Sequence, residues 1–154
     1  MLKIRTENRQ ASDAQAPVTL LLTRRVTFAA AHVLRRAEWD EQRNRAVFGA
    51  CAGDHGHNYV LEVSVAGEPD PDTGMVLNLR DLDRVVREAI VGHVDHRHLN
   101  RDVPFLEGLV PTAENLALAF WERLDRALQQ VPPGARLQRL RLVESENNAV
   151  EVSR

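Results

Sequence analysis

The chain has 154 residues, 44% of them hydrophobic and 27% charged, with a formal net charge of −2. That length suits one domain with its own core, and the charge excludes a general electrostatic pull toward nucleic acid or an anionic membrane. The single cysteine, Cys51, excludes an intrachain disulfide, and no apolar run is long enough for a signal-peptide core or a membrane span. The expectation is a cytoplasmic protein.

Residues 1–16 are polar and aperiodic, and are expected to form a flexible N-terminal segment ahead of a single domain over 17–154. The stretch 18–32 reads as a strand, with Val26, Phe28, Ala30 and His32 on one face. Residues 34–53 are polar and irregular and read as a long loop, a size that is often functional in a small domain. Its arginines, Arg35, Arg36, Arg43 and Arg45, form either a solvated face or a landing site for a phosphorylated substrate. Alternation resumes over 55–65, where His55, His57, Tyr59, Leu61, Val63 and Val65 share a face, and Pro69, Asp70, Pro71 and Asp72 then mark a turn.

Leu79, Leu82, Val85, Val86, Ala89, Ile90 and His93 fall at helical spacing, with Asn78 as N-cap. A second loop spans 96–110. Thr112 caps the next helix, Glu114 sits in its first turn, and Ala113, Leu116, Phe120, Leu124, Ala127 and Leu128 form its apolar stripe. Pro132, Pro133 and Gly134 stop it, and two short strands, 137–144 and 149–152, follow around a turn at Glu146, Asn147 and Asn148. The order strand, strand, helix, helix, strand, strand predicts an α+β fold, an antiparallel sheet with helices on one face.

All six histidines lie near the two histidine-bearing strands and the turn after the first helix. His55 and His57 lie two apart on a strand, so both imidazoles project from one face. His32 can supply a third ligand if its strand is the neighbour. Three imidazoles with an open fourth position make a catalytic zinc site, although imidazoles also accept copper, nickel or iron. The competing readings are ordinary hydrogen-bonded histidines and a closed structural zinc site with Cys51 as fourth ligand. Cys51 is either a small buried hydrophobe or a thiolate base or nucleophile. Asp95 and His96 form a candidate proton-transfer pair. Glu144 shares its strand face with Leu140 and Leu142, and reads either as an exposed strand end or as a carboxylate accepting two N–H groups from a flat heterocycle.

Taken together, these pieces resemble the 6-pyruvoyltetrahydropterin and 6-carboxytetrahydropterin synthase family. The matching segments are F-A-A-A-H ending at His32, C-x-x-x-H-G-H-N-Y from Cys51 to Tyr59, Gly74 to Val76, V-D-H-R-H-L-N from Val94 to Asn100, P-T-A-E-N from Pro111 to Asn115, and Glu144. The resemblance implies the tunnelling fold, a four-stranded antiparallel sheet with two helices on one face. It further implies three-subunit barrels stacked as hexamers, with sites at subunit interfaces. His32, His55 and His57 would bind Zn2+, and Cys51 would be the base or proton shuttle. Asp95 and His96 would form a relay, Glu144 would anchor the pterin edge, and Thr112 and Glu114 would lie near that pocket. The implied substrate is 7,8-dihydroneopterin triphosphate. The three residues between Cys51 and His55 resemble the carboxy-forming enzymes, whose products are 6-carboxytetrahydropterin, acetaldehyde and triphosphate. Residues 38–49 resemble the pyruvoyl-forming ones. The carboxy branch is the expectation, 6-pyruvoyltetrahydropterin synthesis the alternative, and a non-catalytic zinc and pterin-binding module the reading of another class. Ser145 stands where the family usually has Thr, and no aromatic residue closes the last strand.

Overall fold

Alternation of apolar and polar residues builds the sheet. In strand β1 (Leu21–His32), Val26, Phe28, Ala30 and His32 are buried and their neighbours face outward. Strand β2 (His55–Ala66) pairs antiparallel with it in unbroken register, from Leu21 opposite Ala66 to His32 opposite His55. Strands β4 (Arg136–Ser145) and β5 (Asn148–Ser153) extend the sheet antiparallel on the other side of β2. The computed structural model describes residues 19–131 and 134–154. The expected flexible segment 1–16, the strand start at Val18 and the stop signals Pro132 and Pro133 lie outside the described residues.

A fifth strand, β3 (Arg97–His98), runs parallel to β1 at the sheet edge, giving the order β3-β1-β2-β4-β5. The sequence predicts only a loop here, because two residues carry no periodicity. Backbone bonds from His96 N to Ala29 O (2.6 Å) and from Leu99 N to Ala31 O (2.8 Å) place them.

Helix α1 (Glu41–Phe48) interrupts the stretch expected to be irregular loop. Its signals are all polar. Asp40 accepts from Arg43 N at 2.7 Å, and Glu41 pairs with Arg45 one turn on. The buried residue of the helix is Asn44, so there is no apolar stripe to detect. Helix α2 (Leu79–Val86) starts at Asn78, which caps Arg80 N, and runs through a π turn (Arg87–Val91) into the short α3 (Gly92–Val94). The extra residue of the π turn rotates the apolar register, so His93 ends up exposed; Leu79, at the start, is 45% exposed. Helix α4 (Ala113–Leu128) is capped by Thr112 and buries Leu116, Phe120, Leu124 and Leu128 as expected.

The helices cover one face of the sheet. Phe28, Tyr59, Leu61, Val63, Leu140 and Leu142 from the strands meet Leu82, Val86, Leu116 and Phe120 in one core. Phe28 stacks on Tyr59 at 4.8 Å and meets Phe120 edge-on at 6.1 Å. The other face is polar, and one row, Arg25, Glu62, Arg141, Glu151, alternates in charge across all four long strands. Among the described residues no helix is long and apolar enough to cross a membrane.

Candidate metal centre

The β1–β2 register carries three imidazoles to one place. His32 lies opposite His55, and His57 lies opposite Ala30, whose small side chain leaves the space beside His32 free. Their ring centroids stand 4.4, 5.1 and 5.0 Å apart, and one nitrogen from each lies within 4.8 Å of the others. Gly56 lets the strands close here: a Cβ on it would stand 3.0 Å from Ala30 O.

Backbone carbonyls set the tautomers. His32 Nδ1 lies 2.9 Å from Pro111 O, and His55 Nδ1 lies 2.9 Å from Gly53 O. A carbonyl only accepts, so both Nδ1 atoms carry the proton and both Nε2 atoms present lone pairs. Those two Nε2 atoms face each other at 3.0 Å. Two lone pairs at that distance can share a cation, and a proton serves poorly. Burial pulls the His32 imidazole from 6.5 down to about 4; Pro111's carbonyl opposes this, while His55, His57 and His98 add to it. The donor set therefore fits a divalent metal with imidazole ligands. Among the described residues the converging set is these three histidines, without Cys51, so the closed Cys-plus-three-His arrangement is not formed.

Glu144 reaches the centre from β4. Its Oε1 lies 3.9 Å from Nε2 of both His32 and His57, and the side chain is 18% exposed. Tyr59, expected from its parity only as a strand residue, is buried with its hydroxyl 3.5 Å from His32 Nδ1. Burial, and then the Glu144 charge, push that hydroxyl well above the usual tyrosine range. The Pro111 carbonyl is likewise invisible in the sequence, since a backbone acceptor has no residue signature. It is aimed by the turn before α4, where Asn115 Nδ2 donates to Val110 O at 2.8 Å. Thr112 acts there as the helix cap, and Glu114 is exposed in the first turn.

Cys51, Asp95 and His96 are not part of the converging ligand set. Asp95 Oδ1 accepts from Ala29 N at 2.9 Å and lies 3.0 Å from His96 Nδ1. These bonds, Ala29's first, hold the Asp95 carboxyl below its ordinary range. The pair is formed; the His96 side chain is 82% exposed, its backbone sits at φ 55, and it lines an open hollow of about 490 Å³ together with Ala29, Ala31, Gly56, His57 and Asn58. Cys51 is partly buried in the turn Gly49–Ala52, and its carbonyl accepts from Leu34 N at 2.8 Å. Beside it, Asp54 bonds His98 Nε2 at 2.9 Å and Arg101 at 3.3 Å; the His98 bond leads in holding the Asp54 carboxyl low.

Comparison with known proteins places the chain in a family. Residues 21–154 match the family model described as 6-pyruvoyl tetrahydropterin synthase. A Dictyostelium discoideum protein named 6-pyruvoyl tetrahydrobiopterin synthase is 38% identical over 86% of this chain and 94% of its own length. The solved structure of Caenorhabditis elegans 6-pyruvoyl tetrahydropterin synthase superposes with a TM-score of 0.81 at 32% identity, covering 89% of this chain and 96% of that one. An Archaeoglobus fulgidus protein provisionally named 6-carboxy-5,6,7,8-tetrahydropterin synthase is 33% identical over 68% of this chain and 79% of its own. The chain is an enzyme of the 6-pyruvoyl tetrahydropterin synthase family, a family of lyases.

Proposed function

We propose that this chain is a zinc-dependent 6-pyruvoyltetrahydropterin synthase, acting on 7,8-dihydroneopterin triphosphate in the cytoplasm with elimination of triphosphate. The observation that carries the reading is the convergence of His32, His55 and His57, two of them held with Nε2 free. The pyruvoyl branch takes precedence over the carboxy branch expected from the sequence. The relative bearing the pyruvoyl name matches more of this chain, at higher identity, than the one bearing the carboxy name. The three-residue spacing between Cys51 and His55 keeps carboxy formation as the second reading.

His32, His55 and His57 would hold the zinc, which when bound supplies a Lewis acid for the side-chain hydroxyls of the substrate. The side chain gives up the two hydrogens that the ring gains, so no external reductant enters. Glu144 accepts the N–H groups of the aminopyrimidinone edge; its carboxylate is half-sheltered and free of an arginine partner among the described residues. Thr112 and Glu114 lie at the start of α4, next to the Pro111 whose carbonyl orients His32, and would serve the substrate pocket from there. Cys51 and His96 move protons, and Asp95 holds the His96 ring by its Nδ1. The exposure of His96 suits delivery of the relay to a neighbouring copy, in an oligomer with sites at subunit interfaces.

The test is product analysis of the zinc-loaded protein with 7,8-dihydroneopterin triphosphate by mass spectrometry, with an acetaldehyde trap. The expected product is 6-pyruvoyltetrahydropterin. Acetaldehyde with 6-carboxytetrahydropterin would move the chain to the second reading. Unconsumed substrate with a folded, zinc-bound protein would leave a non-catalytic zinc and pterin-binding module.

A further inference from the structure

We infer that His98 is a positioning residue for the metal centre: through Asp54 it holds the short loop after Cys51 so that the Gly53 carbonyl fixes the tautomer of His55. The chain of contacts is continuous. Asn100 N donates to His98 Nδ1 at 3.3 Å, and a backbone N–H only donates, so Nδ1 bears the lone pair. The ring proton is then on Nε2, where it donates to Asp54 Oδ1 at 2.9 Å. Asp54 is bonded in sequence to Gly53 on one side and His55 on the other, and Gly53 O accepts from His55 Nδ1 at 2.9 Å.

The support beneath His98 is rigid. Its N–H donates to Asp102 Oδ2 at 2.9 Å, and the Asn100 amide clasps Val33 through both N–H and C=O at 2.9 Å each. Arg101 Nη2 adds longer contacts to the Asp54 carboxylate, at 3.4 and 3.3 Å. The loop's other backbone ties are Leu34 N to Cys51 O and Gly53 N to Ala50 O, and Gly53 has no side chain to restrict its peptide. Released from His98, Asp54 keeps only the longer Arg101 contacts, and the 53–54 peptide gains the freedom to swing its carbonyl off His55. The imidazole then carries its proton on Nε2 for part of the time, where a ligand lone pair is needed.

The zinc readout of this inference rests on the proposed metal reading; the tautomer readout does not. The experiment is 1H–15N NMR of the histidine ring nitrogens in the metal-free full-length chain, joined to zinc affinity by chelator competition. It compares wild type, His98→Ala, Asp54→Ala and His98→Gln, the last keeping a donor near Nε2. Wild type and His98→Gln are expected to hold the His55 proton on Nδ1. Both alanine variants should show mixed tautomers and a zinc affinity lower by roughly 10–100-fold, the usual loss for an outer-shell partner. Should His98→Ala fail to fold, Asp54→Ala reads the same link from its other end. A His55 proton that stays on Nδ1 in the alanine variants, even with a lowered Tm, would overturn the assignment. Wild type in the Nδ1 tautomer that binds no zinc would sink the metal reading, while the tautomer shift between wild type and the alanine variants would still decide the role of His98.

Discussion

A histidine sealed from solvent is tolerated in its neutral form, and His32 shows the consequence for stability. Its folded pKa of about 4 lies below the 6.5 of an unhindered imidazole. As pH falls from 6.5, the unfolded chain takes up the proton first, so the stability this site contributes is complete above 6.5 and drains away toward 4. Thermal melts of the metal-free protein should show Tm falling across that window, and His32→Gln should flatten that part of the profile. Glu144 gives a second residue-level expectation. Glu144→Gln removes a charged acceptor of the kind that contributes about 1.5–3 kcal/mol. KM for the pterin should then rise roughly 10–100-fold by that figure, with kcat less affected and zinc content unchanged. Zinc lost along with Glu144 would assign the carboxylate to the metal instead, since it stands 3.9 Å from two of the imidazoles. The triad itself is legible in the sequence because strand parity alone aligns His55 with His57 and carries His32 to the end of its own face. Pro111, Tyr59 and His98 are not legible as its supports, because each acts through a contact far away in sequence or through a backbone atom.

Among the elements, the long strands and α4 follow their patterns because each buries one apolar face, while α1 carries no such signal because it buries an amide. The Asn44 side chain donates to the carbonyls of Arg36, Trp39 and Asp40 and accepts from Arg36 N at 2.9 Å. Every one of its bonds folds the 34–53 segment around it. Asn44→Ala takes the partner from Arg36 N and Trp39 O, while Arg36 O keeps Trp39 N and Asp40 O keeps Asn44 N, and should cost about 2–4 kcal/mol, on the scale of 1–3 kcal/mol for each group so stranded. The measurement is urea unfolding, together with limited proteolysis, which should cut first within 34–53. No change in either would show that α1 is held by its surface ion pairs alone. The π turn that continues α2 is illegible for a different reason: its carbonyl at Ala89 is satisfied from another helix, by Arg123 Nε at 2.9 Å.

At the level of the molecule, the α+β architecture is legible from element order, and the parallel edge strand is not, being two residues long. Among the described residues neither Cys51 nor His96 joins the converging histidine set, which leads to a mixing experiment. Copies carrying Cys51→Ala should be inactive, as should copies carrying His96→Ala. Co-assembled in equal amounts, they should recover activity if each site draws the two groups from different subunits, in about a quarter of the sites for random cyclic assembly. Mixtures as dead as their parts would place both groups in one chain's site.

The charged row across the open face bears on how the metal centre is reached during folding. A one-residue slip between β1 and β2 turns apolar side chains to solvent and is self-correcting, but a two-residue slip preserves every face. Such a slip sets Arg25 against Ser64 or Val60 in place of Glu62, and moves His32 off His55. The row thus works as a proofreading device: charges far along the strand report whether the histidines are in step. Refolding in molar salt, where such pairs are screened, should leave a fraction that is sheeted by circular dichroism yet unable to take up zinc.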